Sequence, residues 1–274
     1  MGIEGTNQKI FTDKDKQREF APGQVGVLSD AEREFFEEAT QPFRTDKLYD
    51  THKLNGEPNK ELFKIVREIE ERLLPYRAFI GLAPFGSQTK GYSVKDSDFD
   101  IHLLADNSDS LAFDKLETVT VSFLSELRKK ENKDGGRINF EPEKIDMSQI
   151  YDCLEQVEYK KNIFDLTDGL FDRSNCSYEE YRFFAKLAAL SYPTTGHRVE
   201  KYRSAIKDEL NYFTQASREN ILSNLIDFLV FSDSKSIIKM IARSKEIDTT
   251  TFDAEAWLAA RKKLWTKRVH KIYG

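Results

Sequence analysis

The sequence predicts an α+β protein in which a small mixed β-sheet flanked by helices is followed by a helical C-terminal half. In the first half of the chain, apolar residues change between helical and strand spacing, which is typical of helices that pack on a sheet. From residue 148 onward the spacing is almost wholly helical. We therefore predict a flexible lead over residues 1–28, a sheet-containing domain over 29–170 and a helical domain over 171–274.

The first half begins with helices and continues into a strand. Ser29 and Glu32 have the spacing of a capping box, which predicts a helix over about 30–40. Residues 62–73 carry apolar side chains at helical spacing, which predicts an amphipathic helix. The apolar run at 78–85 predicts a strand.

The rest of the sheet follows from the next segments. Acids alternate with apolar residues over 98–104, which predicts a second strand. A helix is expected over 113–127, and two short strands are expected at 137–141 and 144–147. In the helical half, a second capping box precedes a helix that begins near residue 178. Further amphipathic segments lie at 196–214, 217–231, 234–245 and 253–272.

Composition limits the function classes. The 274 residues carry a net charge of −5 and include two cysteines without CxxC spacing, which fits a reducing cytoplasm. No apolar run of about 18 residues occurs, so no membrane partner is expected. The acidic balance disfavours a dedicated nucleic-acid binder, because neutralising phosphates requires a basic face.

Two aspartates in the second predicted strand indicate a metal site. Asp98 and Asp100 are two residues apart, so both leave the same face of a strand while Phe99 and Ile101 leave the other. Two neighbouring carboxylates repel each other unless a cation lies between them. Carboxylate oxygens suit Mg²⁺ or Mn²⁺, which usually bind through one or two carboxylates together with substrate phosphates.

A glycine and a serine follow the first predicted strand directly. Gly86 lets the backbone approach a phosphate closely, and its N–H and the Ser87 hydroxyl can donate hydrogen bonds to phosphate oxygens. One short segment therefore contains a phosphate cradle and a metal clamp, which together are typical of two-metal phosphoryl or nucleotidyl transfer.

The segment from Phe85 to Ile101 resembles the polymerase-β-like nucleotidyltransferase superfamily. The signature is Gly-Ser, a spacer of about ten residues, and then Asp-apolar-Asp-apolar. The form resembles minimal and aminoglycoside-type enzymes, with Lys90 where arginine is usual, and also terminal uridylyl- and non-canonical poly(A) polymerases. The resemblance implies that residues 29–170 form the catalytic domain, and that Gly86, Ser87 and Lys90 bind the nucleotide.

The resemblance also implies a third carboxylate on a neighbouring strand. Asp146, between two apolar residues, is the preferred candidate for this metal-binding and catalytic role beside Asp98 and Asp100, and Glu141 is the alternative. Asn139 would weaken or abolish activity if it occupied the place of this acid.

The expected function is transfer of a nucleoside monophosphate from an NTP such as ATP to an acceptor hydroxyl, with Mg²⁺ or Mn²⁺ as cofactor and pyrophosphate as product. A small-molecule or protein acceptor is favoured over an RNA end, because RNA tailing requires a basic groove. The alternative is a catalytically inert nucleotide-binding or scaffolding protein of the same fold.

Overall fold

The computed structural model describes residues 29–40, 60–87, 98–130, 138–159, 177–196, 198–242 and 253–274. These residues form a mixed α/β, mostly helical structure with a small mixed sheet. The elements in chain order are α1 (Asp30–Thr40), α2 (Lys60–Leu73), β1 (Phe79–Phe85), β2 (Phe99–Asp106), α3 (Ser110–Lys130), β3 (Ile138–Ile145), α4 (Met147–Tyr159), α5 (Tyr178–Ser191), α6 (Val199–Leu210), α7 (Gln215–Ala242) and α8 (Ala254–Tyr273). The predicted lead over 1–28 lies outside the described residues.

The sheet is mixed, as predicted. Its strand order is β1-β2-β3, with β1 antiparallel and β3 parallel to β2. The parallel pair is joined through α3, as a parallel connection requires a crossover. On the free side of β1, Leu82 and Thr195 exchange two backbone hydrogen bonds of 2.9 Å. The sheet is therefore tied directly to the segment that follows α5.

The two faces of the sheet pack against different helices. Phe99, Ile101 and Leu103 of β2 are buried in a cluster with the apolar faces of α2 and α3. Leu104 and Ile145 lie in a second cluster formed mainly by α4 to α8. Because side chains alternate along a strand, one strand contributes to both cores. Burial of both faces fixes the strand register, since a slip of one residue would exchange the faces.

Helix α1 packs on the C-terminal part of the chain. The rings of Phe35 and Trp265 lie 4.9 Å apart. The Glu32 carboxylate binds both Arg203 and Arg268, and all three of these side chains are buried. Helix α1, which was predicted to belong with the sheet, is therefore held mainly by α6 and α8. The predicted domain boundary at residue 170 lies outside the described residues.

Two predicted breaks are wrong. β3 is one strand over the range where two short strands were expected, although Pro142 lies in it. In the described sheet β3 is an edge strand, where a residue without an N–H is tolerated. α7 is likewise one helix across the predicted gap at 232–233. Its Asp233 is buried and accepts hydrogen bonds from Arg261 and Trp265, so this polar residue faces α8 instead of ending the helix.

Both predicted N-cap serines cap their helices, but only the second capping box is reciprocal, because the Glu32 carboxylate binds two arginines instead. Ser29 Oγ accepts a hydrogen bond from the Glu32 N–H at 3.2 Å. Ser177 and Glu180 cap each other reciprocally at the start of α5. Within the described ranges, no helix combines the length and apolarity needed to cross a bilayer.

Candidate active site

The residues of the predicted motif lie at one edge of the sheet. β1 ends at Phe85, which pairs with Asp100 at the start of β2, and Asp100 pairs in turn with Asn139 at the start of β3. These three residues form a row across the sheet. Because β2 and β3 are parallel, their beginnings meet at this edge.

Burial along the start of β2 confirms the predicted alternation. Asp98 is exposed and Asp100 is half-buried, whereas Phe99 is 3% exposed and Ile101 is fully buried. The apolar residues therefore anchor the strand in the core formed with α2 and α3. The anchored strand holds the aspartates at the solvent-accessible edge, where hard oxygen ligands suit a divalent cation.

Gly86 lies directly against the carboxylate of Asp100. Its φ is +76°, in the left-handed region that favours glycine. A Cβ at this position would lie 1.8 Å from Asp100 Oδ2. Ser87, half-exposed, follows immediately. The structure thus brings the proposed phosphate cradle and one proposed metal ligand together, and only a glycine fits between them.

Replacement of Gly86 by alanine is expected to displace the Asp100 carboxylate. If Asp100 binds Mg²⁺ as predicted, we expect a loss of about 10–100-fold in Mg²⁺ affinity, because the carboxylate is pushed from its position. The left-handed backbone should add a stability loss of about 1–2 kcal/mol. Titration calorimetry with Mg²⁺ and thermal unfolding measure the two effects separately.

A double-mutant cycle with Asp100→Ala tests whether contact with the Asp100 carboxylate causes the loss of stability. Truncation removes the Asp100 oxygens, including the one that clashes at 1.8 Å. Gly86→Ala should therefore destabilise the Asp100→Ala protein less than it destabilises the wild type. Equal stability losses in the two backgrounds would show that contact with the carboxylate does not matter.

Asn139 occupies the position next to Asp100 on the neighbouring strand. Its Nδ2 donates a hydrogen bond of 3.2 Å to Asp100 Oδ1. This amide orients the carboxylate and provides a neutral oxygen at the same edge. It cannot provide a third negative charge, so the pair of aspartates lacks an acid at this register position.

The prediction that Asp146 joins Asp98 and Asp100 in one site is wrong. Ile145 pairs with Asp106 at the far end of β2, so Asp146 follows the opposite end of the parallel strands. Asp106 is six positions after Asp100, which corresponds to about 20 Å at about 3.3 Å per residue. Asp146 instead caps α4, where its Oδ1 accepts hydrogen bonds from the Ser148 N–H and Oγ.

The two remaining candidate site residues are Glu141 and Lys90. The backbone of Glu141 pairs with His102, two positions along β3 from Asn139, and therefore belongs to the motif end of the sheet. Glu141 remains the candidate for a third acid. Lys90 lies outside the described residues.

An aromatic cluster beside Asp100 was not predicted. The ring of Phe85 stacks on His102 with centroids 3.8 Å apart, and Tyr192 lies 5.9 Å from His102. Burial raises the pKa of Tyr192 to about 12, so its hydroxyl stays neutral. Tyr192 follows α5, and sequence spacing gives no signal that this residue reaches β2. The three rings form an aromatic wall beside Asp100, which pairs with Phe85 across the sheet.

Among the described residues, no group of three or more histidine, cysteine or acidic side chains is arranged to hold a metal ion. In the described ranges, Asp98 and Asp100 are the acids at the start of β2, and two carboxylates fit a metal that also takes ligands from substrate phosphates. Compared with protein-family models, with curated proteins and with solved structures, the chain matches none of them.

Proposed function

We propose that this chain is a magnesium-dependent nucleotidyltransferase that moves a nucleoside monophosphate from an NTP to an acceptor hydroxyl. The observation that carries the proposal is the packing of Gly86 against the Asp100 carboxylate. Gly-Ser turns and spaced aspartates are each common. A phosphate cradle in contact with a metal-binding carboxylate is what an NTP with its magnesium ion requires.

The order of the elements also supports the proposal. The Gly-Ser turn ends β1, and the aspartates begin the antiparallel neighbour β2. About ten residues separate them in the sequence, and the pairing of Phe85 with Asp100 brings both to one edge. If the Gly-Ser turn and the aspartates lay on distant elements, they could not bind the same triphosphate.

The proposed reaction is a displacement at the α-phosphorus. The acceptor oxygen bonds to this phosphorus, the bond to the oxygen that bridges to the β-phosphate breaks, pyrophosphate leaves, and the hydroxyl proton passes to solvent. Bound magnesium would supply charge neutralisation on the phosphates. Asp98 and Asp100 would hold it, and Gly86 and Ser87 would orient the triphosphate. Placement of the reactants supplies most of the rate.

The position of Asn139 favours a second candidate function. If the third acid is missing, the chain would bind a metal–nucleotide complex without turning it over. Asn139 beside Asp100 is the specific observation for this alternative, whereas Glu141 on the same strand supports catalysis. Substitutions at Asn139 and at Glu141 can therefore distinguish the two functions.

We expect Asn139→Asp to raise Mg²⁺ affinity, because it adds a carboxylate beside Asp100. If the third acid is missing, turnover should also rise by at least about tenfold, which corresponds to about 1.4 kcal/mol of barrier. If Glu141 already serves, Glu141→Gln should abolish turnover of the otherwise unchanged protein. The assay follows pyrophosphate release and transfer of label from each α-labelled NTP in the presence of Mg²⁺ and cell extract.

The location of the label identifies the acceptor as a small solute, protein or RNA. Glu117→Gln on α3 is the control for the loss of one carboxylate at a distance from the site. Absence of turnover in the wild type and in Asn139→Asp, together with unchanged nucleotide binding on removal of Mg²⁺, would reject the enzyme proposal.

A further inference from the structure

A pocket lies at the edge of the sheet opposite Asp100. It has a volume of about 350 Å³, within the range of small-molecule sites. It is bounded by the end of β3, by α4 and by the first turns of α5. Its charged lining residues are Lys144, Asp146, Asp152, Arg182 and Lys186.

The inner wall of the pocket is cationic. Lys186 is only 6% exposed, and its ammonium donates a hydrogen bond of 2.8 Å to the neutral Gln149 Oε1. Arg182 lies one helical turn earlier, and like charges at this spacing repel each other. Burial and the neighbouring Arg182 both lower the pKa of Lys186. Glu143 and Asp146 act in the opposite direction but offset only part of this effect, because the pKa of Lys186 stays below its ordinary value.

The acids in and near the pocket are capping, exposed or already paired, in contrast to the buried Lys186 ammonium. Asp146 uses Oδ1 to cap α4, and Asp152 is exposed. Glu143 lies 3.5 Å from Arg182 and offsets part of its charge. The pocket therefore suits an anionic group at Lys186 and Arg182, together with hydroxyl donors that reach the free acceptor positions of Asp146 and Asp152.

We propose that this pocket binds a sugar phosphate, with the phosphate between Lys186 and Arg182 and the sugar hydroxyls toward Asp146 and Asp152. A phosphate neutralises the repulsion within the cationic pair and provides acceptors for both cations, which a buried ammonium beside a guanidinium requires. The site is distinct from the proposed nucleotidyl-transfer site, because the length of β2 separates them.

Titration calorimetry with ribose 5-phosphate tests the proposal on the full chain. Lys186→Met keeps an unbranched side chain, one atom shorter, and removes its charge. We expect this variant, and Arg182→Met separately, to weaken binding by roughly tenfold or more, because each removes a charge-assisted hydrogen bond. Lys263→Met, an exposed position on α8, is the matched control and should leave the affinity unchanged.

Thermal unfolding without ligand distinguishes a binding role of Lys186 from a structural role. Since Lys186 is buried beside a like charge, Lys186→Met should not lower the midpoint of thermal unfolding without ligand. If this variant fails to fold, Arg182→Met alone decides. Asp100→Asn should still bind ribose 5-phosphate, so the outcome does not depend on the proposed transferase activity.

Three results would overturn the inference. The first is no binding of ribose 5-phosphate at millimolar concentration. The second is unchanged affinity in both Lys186→Met and Arg182→Met. The third is inorganic phosphate binding as tightly as ribose 5-phosphate, which would remove the assignment of a sugar to the pocket.

Discussion

Replacement of Asp100 by asparagine is expected to abolish Mg²⁺-dependent nucleotidyl transfer while the chain stays folded. The side chain keeps its size and loses the charge that would hold the metal ion beside Gly86. We expect a fall in turnover of roughly a thousandfold or more, because a charged ligand at the reacting phosphate is lost. Asp98→Asn should behave in the same way. Turnover at saturating Mg²⁺ and NTP measures the effect.

Stability separates this expectation from a simple folding defect. Without metal, neighbouring carboxylates repel each other, so each asparagine variant should unfold at the same temperature as the wild type or slightly higher. Asp114→Asn, at an exposed position on α3, makes the same chemical change away from the site and should keep full activity. An Asp100→Asn protein with wild-type turnover, or one that is unfolded, would contradict the metal assignment.

The largest stability effect is expected at Glu32. Its carboxylate contacts Arg203 at 2.7 Å and also binds Arg268, and the three side chains are each about 5% exposed. Burial and the neighbouring Arg203 lower the pKa of Arg268 to about 10, whereas Glu32 and Glu200 raise the pKa of Arg203 above its ordinary value. Glu32→Gln leaves two buried guanidinium groups without their shared carboxylate. We expect a loss of about 3–5 kcal/mol in the free energy of unfolding.

Glu38 on the same helix provides the matched control. Its carboxylate pairs with Lys267 at 2.7 Å, but both side chains are exposed to water. Glu38→Gln should change stability little, because solvent screens the pair. Urea denaturation of the two variants gives the comparison. Similar midpoints for Glu32→Gln and Glu38→Gln would mean that the buried cluster does not lock α1 onto the helical half.

The arginines of this cluster also bind backbone that leads to the aromatic wall. Arg203 donates to the carbonyl oxygens of Leu190 and Tyr192, and Arg268 donates to that of Tyr192. Tyr192 in turn lies beside His102. Loss of Glu32 should therefore disturb the segment that contacts the candidate active site, in addition to lowering global stability.

Local sequence patterns were sufficient to predict most of the helices and strands, and to locate the Gly-Ser and Asp-Phe-Asp segments. The spacing of Ile65, Ile69 and Leu73 predicted α2, and the burial of Phe99 and Ile101 follows the alternation expected for β2. These signals are readable because helix and strand periods appear directly in the order of residues. The same periodicity does not show where an element continues, so β3 and α7 were each divided in the prediction.

The strand register decides which residues lie together in the candidate active site. Asp146 and Asn139 lie on or directly after one strand, and sequence alone does not show which of them faces Asp100. Asn139 and Asp146 lie at opposite ends of β3, so the pairing of β3 with β2 decides which of them lies beside Asp100. Pairing of Asp100 with Asn139 follows from long-range backbone hydrogen bonds, which local spacing does not encode.

By itself, the sequence determined the mixed α/β class, the amphipathic helices and the Gly-Ser and Asp-Phe-Asp segments. The tertiary structure alone decided that Gly86 touches Asp100, that Asp146 lies far from both aspartates, and that Glu32 joins α1 to α6 and α8. The physical reason is distance along the chain. Periodicity and turn chemistry act between near neighbours, whereas strand register and buried ion pairs join residues that are tens to hundreds of positions apart.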